Sequence, residues 1–292
     1  MSERKRKDSD QSRSQSLYIS PSVQRAVMLL RRLGEGDNVA NVSRTARELG
    51  INRTTLLRLL HTLQSERFIE PRHEGQGWRI GVGLIGLTAQ AFFSQDLVQI
   101  SVPVLTRLAE GLDLSAHLGV LDGLEIVYLV RRAPNNAFAS NIRIGSRLPA
   151  HAANMGRSIL ANMPLEQVDR LYAGTMLSAV TPHTAVTLTQ LHAQLEADRD
   201  AGLAWSDGNY EANISSVAAA IFDATDTPIA ALNVSGQPAS FEGATRRRQI
   251  AAAVRAAAYE ISQQLGWHGP QAGLVADDDK KLASRGKSRA MG

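Results

Sequence analysis

Between Asn52 and Ser65 the chain reads Asn-Arg-Thr-Thr-Leu-Leu-Arg-Leu-Leu-His-Thr-Leu-Gln-Ser, with no carboxylate. At 3.6 residues per turn, Leu56, Leu59, Leu60 and Leu63 share one side of a helix. Thr54, Arg58, His61 and Ser65 occupy the other, flanked by Thr55 and Thr62. Asn52 stands where a side-chain oxygen caps the helix start. Hydrogen-bond donors without an acid suit a DNA groove, because phosphates repel carboxylates. Arg53 and Arg58 have the geometry for guanine edges or phosphates. Thr54 and Thr55 either reach bases or only cap the helix. His61 is a base reader or a solvated histidine, and the bland alternative for the whole segment is an exposed amphipathic helix.

The flanking elements must hold such a helix against a duplex. Val42 to Leu49 has helical spacing and stops at Gly50, a residue suited to the left-handed turn after a helix. Helix, short turn, capped helix is the helix-turn-helix arrangement. Ser22 to Leu33 predicts a third helix, with Val23, Ala26, Val27 and Leu30 inward and Arg25 available to a phosphate. Phe68 to Pro71 and Trp78 to Gly81 flank a polar tip from Arg72 to Gly77, which predicts a hairpin wing with Arg72 near the backbone. Three helices and a hairpin make a winged helix-turn-helix.

Charge is distributed to match. The formal net charge is +4. Residues 17–82 hold ten arginines against six carboxylates, residues 1–16 hold five cations against three, and the remaining residues hold 17 against 19. The positive excess therefore lies at the end expected to meet DNA. The chain has no cysteine, which excludes disulfides, a thiolate nucleophile and cysteine zinc sites. Its charged start is not followed by an apolar segment, and no stretch approaches the ~20 apolar residues that span a bilayer. A cytoplasmic protein is expected.

Five segments follow from pattern: a disordered tail at 1–16, the DNA-binding domain at 17–82, a linker helix at 83–98, a second domain at 99–266 and a disordered tail at 267–292. The helical pattern of Leu84 to Leu112 predicts a break or kink at Pro103, and its apolar surplus suits a two-fold dimer reading a palindrome-like operator. Ser115 to Leu121 and Glu125 to Arg131 alternate around Asp122-Gly123, a hairpin signal. Further strands are expected at Ala139–Ile144, Leu203–Tyr210, Ser215–Asp223 and Ile229–Val234. Helices are expected at Met155–Met163, Leu165–Ala173, Leu188–Ala201 and Phe241–Leu265, the last with Ala251, Val254, Ala258 and Ile261 inward. Without a βαβ rhythm this is an α+β domain.

Several ordered stretches resemble the IclR family of bacterial transcriptional regulators over residues 20–265. They are Ser22 to Ala26, Thr54 to Leu63, Gly145 to Arg157, Ala201 to Ala204, Ser215 to Ile221 and Ala230 to Ser235. The resemblance implies a homodimeric or tetrameric regulator with a GAF-like α+β effector domain binding a small carboxylate. Its implied pocket falls at Asn154 and Met155, where a loop meets a helix start, and at Ser206, Ser216, Asn233 and Ser235. A helix N-terminus favours an anion, and Ser and Asn side chains can orient one. Members that bind glyoxylate or pyruvate often have an acid in place of Ser206, a cysteine in place of Ser216 and Gly-Ala in place of Asn154-Met155. Arg157 and the Leu232 to Ser235 run look more like the aromatic-catabolism branch, which implies sensing of protocatechuate, 4-hydroxybenzoate, β-ketoadipate or a related acid, and control of a catabolic operon.

Arg143 and Arg147 flank the passage into the pocket helix. Either pairs with a carboxylate in bidentate fashion or sits in a surface ion pair. His117 and His151 read as packed or surface histidines, Trp205 and Tyr210 as core or as pocket walls. The chain lacks a G-x-S-x-G turn, a convincing triad, HExxH and a phosphate-cradling glycine loop. It is not expected to be an enzyme or to carry a cofactor. The alternatives are an architectural DNA-binding dimer without a ligand and, least favoured, an enzyme domain fused to a DNA-binding module.

Overall fold

The computed structural model describes residues 19–72, 77–93, 96–134, 142–208, 210 and 213–269. The tail expected at 1–16, residues 270–292 of the tail expected at 267–292, and residues 73–76 of the wing tip lie outside these residues; Trp267, at the start of the second expected tail, instead stacks on Phe222 at 4.8 Å. The chain divides into two compact units, Met1–Ser94 and Gln95–Gly292.

The first unit begins with α1 (Pro21–Gly34), whose proline occupies the first turn, where a missing N–H costs nothing. Asn41 accepts from Arg44 N at 2.9 Å to cap α2 (Val42–Glu48). Asn52 accepts from Thr55 N at 2.7 Å to cap α3 (Arg53–Ser65). Gly50, with φ +63°, makes the left-handed turn between them. β1 (Ile69–Pro71) pairs antiparallel with β2 (Trp78–Ile80), and α4 (Val82–Phe93) follows. Leu29, Leu33, Ala46, Leu56, Leu60, Leu63 and Ile69 form the core. The inward stripe of α1 is thus rotated one position from the expected one. Leu29 and Leu33 meet the α3 leucines, while Val23 and Val27 are 62% and 43% exposed. Ala26 and Leu30 belong to both stripes, so periodicity alone could not choose.

The second unit begins with α5 (Asp96–Leu112), which runs through Pro103 without ending. The proline removes one backbone bond, but Val98, Val104, Leu105, Leu108 and Leu112 are buried along the helix and hold it together. Among the described residues six strands follow: β3 (Ser115–Asp122), β4 (Glu125–Arg132), β5 (Arg147–Pro149), β6 (Ala204–Asp207), β7 (Ser215–Phe222) and β8 (Pro228–Gly236). They form one antiparallel sheet in the order β5-β4-β3-β8-β7-β6. The described residues also form the helices α6 (Asn154–Ala161), α7 (Leu165–Tyr172), α8 (Leu188–Ala201) and α9 (Ala244–Gln264). Of the strand expected at Ala139–Ile144, residues 139–141 lie outside the described part and the rest is not a strand. Arg143 N donates to Ser146 Oγ and Ser146 N to the Arg143 carbonyl, closing a turn at Gly145 (φ +86°) that places the strand at Arg147 instead. The helix α9 begins at Ala244 because Pro238–Phe241 forms a separate 3₁₀ turn. It buries Ile250, Val254, Ala257, Ala258 and Ile261, with Ala251 only half-buried.

Period-2 alternation gives the sheet two unlike faces. Leu118, Val130, Val217, Ala219, Ile221, Leu232 and Val234 lie on an apolar face, packed by α5 and α9. The other face carries His117, Tyr128, Ser206, Ser216, Asn233 and Ser235 and is covered by α6. Gly156 lets the segment that leads into α6 fold back against the helix: a Cβ there would stand 2.3 Å from the Ala150 carbonyl oxygen. The back of α6 is held by Arg157, 1% exposed, whose Nε donates to Asp198 Oδ2 on α8 at 2.8 Å and whose Nη2 donates to the Trp205 carbonyl on β6.

Burial pushes the Asp198 carboxyl up, against the pull of Arg157. Arg157→Met should therefore cost about 3–5 kcal/mol in urea unfolding near neutral pH, by leaving a buried carboxylate alone. With its folded-state pKa above the unfolded value, Asp198 takes up a proton on folding in that variant. The deficit should shrink as pH falls toward the ordinary carboxylate range. A loss under ~1 kcal/mol, or one that grows on acidification, would contradict this reading.

Candidate functional site

In the first unit, Arg53, Thr54, Arg58 and His61 are exposed on α3, Thr55 is half-buried and Asn52 is exposed at the cap. Arg25 is half-buried on α1, and Arg72 is exposed where β1 ends. Thr55 serves the cap through its backbone N–H, which leaves its hydroxyl uncommitted to Asn52. Two scaffold arginines are neutralised: Arg32 pairs with Asp37 at 2.5 Å and Glu48 at 2.7 Å, and Arg79 pairs with Glu70 at 2.7 Å. Arg25, Arg53, Arg58 and Arg72 have no acidic partner among the described residues. Cations left unpaired beside a capped helix form a surface for a polyanion.

In the second unit a cavity partly open to solvent lies between α6 and the polar sheet face, about 420 Å³ with its open mouth included. Its lining is Tyr128, Ile142, Leu148, Ala153, Asn154, Ser206, Tyr210, Ile214, Ser216, Asn233 and Ser235. Five of the eight expected residues, Asn154, Ser206, Ser216, Asn233 and Ser235, meet there because Ser206 pairs with Ser216 and Ser216 with Ser235 across three strands. Met155 instead turns into the core beside Gly119, since adjacent helix positions point about 100° apart. Arg147 is exposed and held by Asp122 at 2.5 Å and Glu125 at 2.7 Å, and Arg143 is exposed at the turn. Neither lines the cavity. Tyr210 does, whereas Trp205 lies under the Arg247 guanidinium at 4.4 Å and edge-on to Phe241.

Polar groups of the lining satisfy one another. Asn233 Nδ2 donates to Asn154 Oδ1 at 3.1 Å, and Asn154 Nδ2 donates to Ser216 Oγ at 3.0 Å. Behind Asn233, His117 Nδ1 sits 2.9 Å from Asn233 Oδ1, and the His117 ring meets Tyr128 edge-on at 5.5 Å. Ala153, at the N-cap of α6, supplies no side-chain acceptor, so the first-turn N–H groups face the cavity end without a cap. No lining residue is charged. His117 was not identifiable as part of this cluster from sequence: it is bonded to a residue 116 positions away. Tyr128, Ile142, Leu148, Ala153 and Ile214 likewise carried no signal distinguishing them from ordinary core residues. Among the described residues no group of three or more potential metal-ligating side chains occurs, and no helix is long and apolar enough to cross a membrane.

A winged helix-turn-helix joined to an α+β domain with an interior polar cavity defines the class of ligand-responsive DNA-binding regulators. The IclR helix-turn-helix domain matches residues 22–73, and the C-terminal domain of the bacterial transcriptional regulator IclR matches residues 89–263. The chain belongs to the IclR family. It is similar to the transcriptional regulator XynR of Escherichia coli, 30% identical over 217 residues covering 74% of this chain and 86% of that protein. An IclR-type regulator from Alicyclobacillus acidocaldarius has the same fold, with TM-score 0.76 and 25% identity over 85% of this chain and all of that one. An IclR homologue from Microbacterium hydrocarbonoxydans, solved with 4-hydroxybenzoate, superposes with TM-score 0.71 at 24% identity, over 84% of this chain and 98% of that one. These families and relatives are transcriptional regulators, not enzymes. The protein is a DNA-binding transcriptional regulator with a C-terminal effector domain.

Burial depresses the His117 imidazole from 6.5 to about 4, against the hydrogen bond to Asn233, and the Arg131 charge adds to the depression. A histidine kept neutral by folding contributes stability that is present above its ordinary value and is lost as pH falls toward about 4. Compared with His117→Asn, which does not titrate there, the wild type should lose on the order of 3 kcal/mol over that window. Urea unfolding across the range measures it, and parallel pH profiles for the two proteins would contradict it.

Proposed function

We propose that the α6–sheet cavity is the effector site and that its effector is a small carboxylate, with an aromatic or related catabolic acid (protocatechuate, 4-hydroxybenzoate, β-ketoadipate) favoured. The observation that carries this reading is the convergence of Asn154, Ser206, Ser216, Asn233 and Ser235 on a cavity that opens onto an uncapped helix start. Uncharged donors and a helix N-terminus can hold an anion without a buried cation. Tyr128 and Tyr210 give the cavity aromatic walls suited to a flat ring. The 4-hydroxybenzoate bound by the Microbacterium homologue supplies a probe of that class. Met155 then acts around the site by packing and Arg147 by surface pairing, with Arg143 exposed at the turn, and none of the three contacts the ligand directly.

Arg25, Asn52, Arg53, Thr54, Thr55, Arg58, His61 and Arg72 form the proposed DNA interface, with α3 in the major groove and Arg72 at the backbone. Exposed Val23 and Val27 on α1, and Ile85 and Leu87 on α4, support a homodimer or tetramer that sets two such helices on a palindrome-like operator. In this reading residues 17–82 bind DNA, 83–98 link, and 99–266 sense, in the cytoplasm. Effector binding shifts the population of dimer geometries that fit the two half-sites of a catabolic operon's operator.

Two sets of variants test the two halves separately. Arg58→Ala should weaken binding to a promoter fragment by about 1–3 kcal/mol in fluorescence anisotropy at moderate salt. Unchanged affinity would refute a base-reading role. Ser216→Leu and Asn233→Leu fill the cavity and should abolish release or recruitment by the effector while DNA affinity persists. A full effector response in both variants would refute the site.

A further inference from the structure

We infer that His117, which lies outside the cavity lining, fixes the hydrogen-bond polarity of that lining and so makes the cavity select an acceptor-only anion over its isosteric amide. The inference rests on the cavity being the effector site.

The argument follows one proton. Asn233 Oδ1 can only accept, so the contact at 2.9 Å requires His117 Nδ1 to carry hydrogen. With its oxygen occupied, Asn233 presents Nδ2 to Asn154, donating to Oδ1 at 3.1 Å. Asn154 is thereby fixed the same way and donates from Nδ2 to Ser216 Oγ at 3.0 Å. Ser216 Oγ accepts, which leaves its own hydroxyl hydrogen to be given elsewhere. Ser216, Asn154 and Asn233 all line the cavity. At the cavity they offer one O–H and the second N–H of each amide, while both carboxamide oxygens are already engaged.

The tautomer of His117 is itself determined. Its side chain is 1% exposed, and Nε2 has no hydrogen-bond partner among the described residues. Arg131, directly opposite on β4, repels a proton on this ring. A hydrogen on Nε2 would be a buried orphan donor, which costs about 1–3 kcal/mol. A bare lone pair there is unpaired too, but a buried orphan N–H is the rarer of the two, and a hydrogen on Nδ1 has its acceptor in Asn233 Oδ1. The proton therefore stays on Nδ1, and the row of amides cannot reverse without breaking its first link.

A carboxylate brings only acceptors to these donors. An amide of the same shape brings two N–H groups against them, and donors facing donors leave buried groups of Asn154, Asn233 and Ser216 unpaired. His117 is thus a positioning residue, with no ligand contact of its own.

The test is calorimetric titration of full-length protein with 4-hydroxybenzoate and with 4-hydroxybenzamide near neutral pH. Wild type should prefer the acid by at least about tenfold. His117→Asn keeps a donor near the Nδ1 position and should keep that ratio. His117→Leu frees both amides to flip, so the acid should weaken by about tenfold while the amide holds or improves, bringing the ratio near unity. Loss of fold would weaken both probes alike. If the leucine variant does not fold, His117→Gln, which places its amide near Nε2, should lose the ratio in the same manner. An unaltered ratio in the leucine and glutamine variants overturns the role of His117 alone. Failure of both probes to bind wild type overturns the aromatic-carboxylate reading of the cavity, and this inference with it.

Discussion

Two carboxamides, Asn154 on α6 and Asn233 on β8, meet at 3.1 Å inside the second unit, 4% and 3% exposed. Each buried polar group left without a partner would cost about 1–3 kcal/mol. The protein meets that constraint by letting side chains from β3, α6, β7 and β8 complete one another. The price is geometric: α6 must lie where Asn154 reaches both Ser216 and Asn233. The glycine at 156 and the buried Arg157–Asp198 pair both serve that placement, one by letting the segment around Ala150 fold back on the helix and the other by tying α6 to α8 and β6. The cavity is the space such an arrangement leaves open, and its neutral, hydrogen-bonding wall follows from the same bonds.

The DNA-binding unit is governed by charge rather than by interior polarity. Three of its acids, Asp37, Glu48 and Glu70, hold Arg32 and Arg79 on the scaffold. The cations of α3 remain available because no carboxylate lies between Asn52 and Ser65. Caps at Asn41 and Asn52 and the left-handed turn at Gly50 fix the short helices, which at 7 and 13 residues would be marginal in isolation. A leucine core beneath α3 then turns its polar side outward.

Local chemistry was the legible part of the sequence. The cap at Asn52, the turn at Gly50 and the Asp122-Gly123 hairpin each depend on residues within a few positions, and each could be read directly. The cavity serines and asparagines were reached through the family resemblance, which carries three-dimensional proximity that spacing does not. What stayed hidden depends on long-range pairing. His117 looks like any strand residue until β3 lies beside β8, and Arg147 looks like a carboxylate receptor until Asp122 and Glu125 are seen beside it. The inward face of α1 was ambiguous for a different reason. Two overlapping stripes share Ala26 and Leu30, and the choice was made by leucines on α3.

The most direct test of the account is thermal melting of the full chain against a panel of aromatic and short aliphatic carboxylates, with Ser216→Leu as the control. A ligand that binds only the folded state raises the melting temperature in proportion to the logarithm of its concentration above Kd. The account predicts such a rise for at least one acid in the wild type and its absence in the filled-cavity variant. A panel that leaves the wild type unmoved, or that shifts both proteins equally, would contradict it.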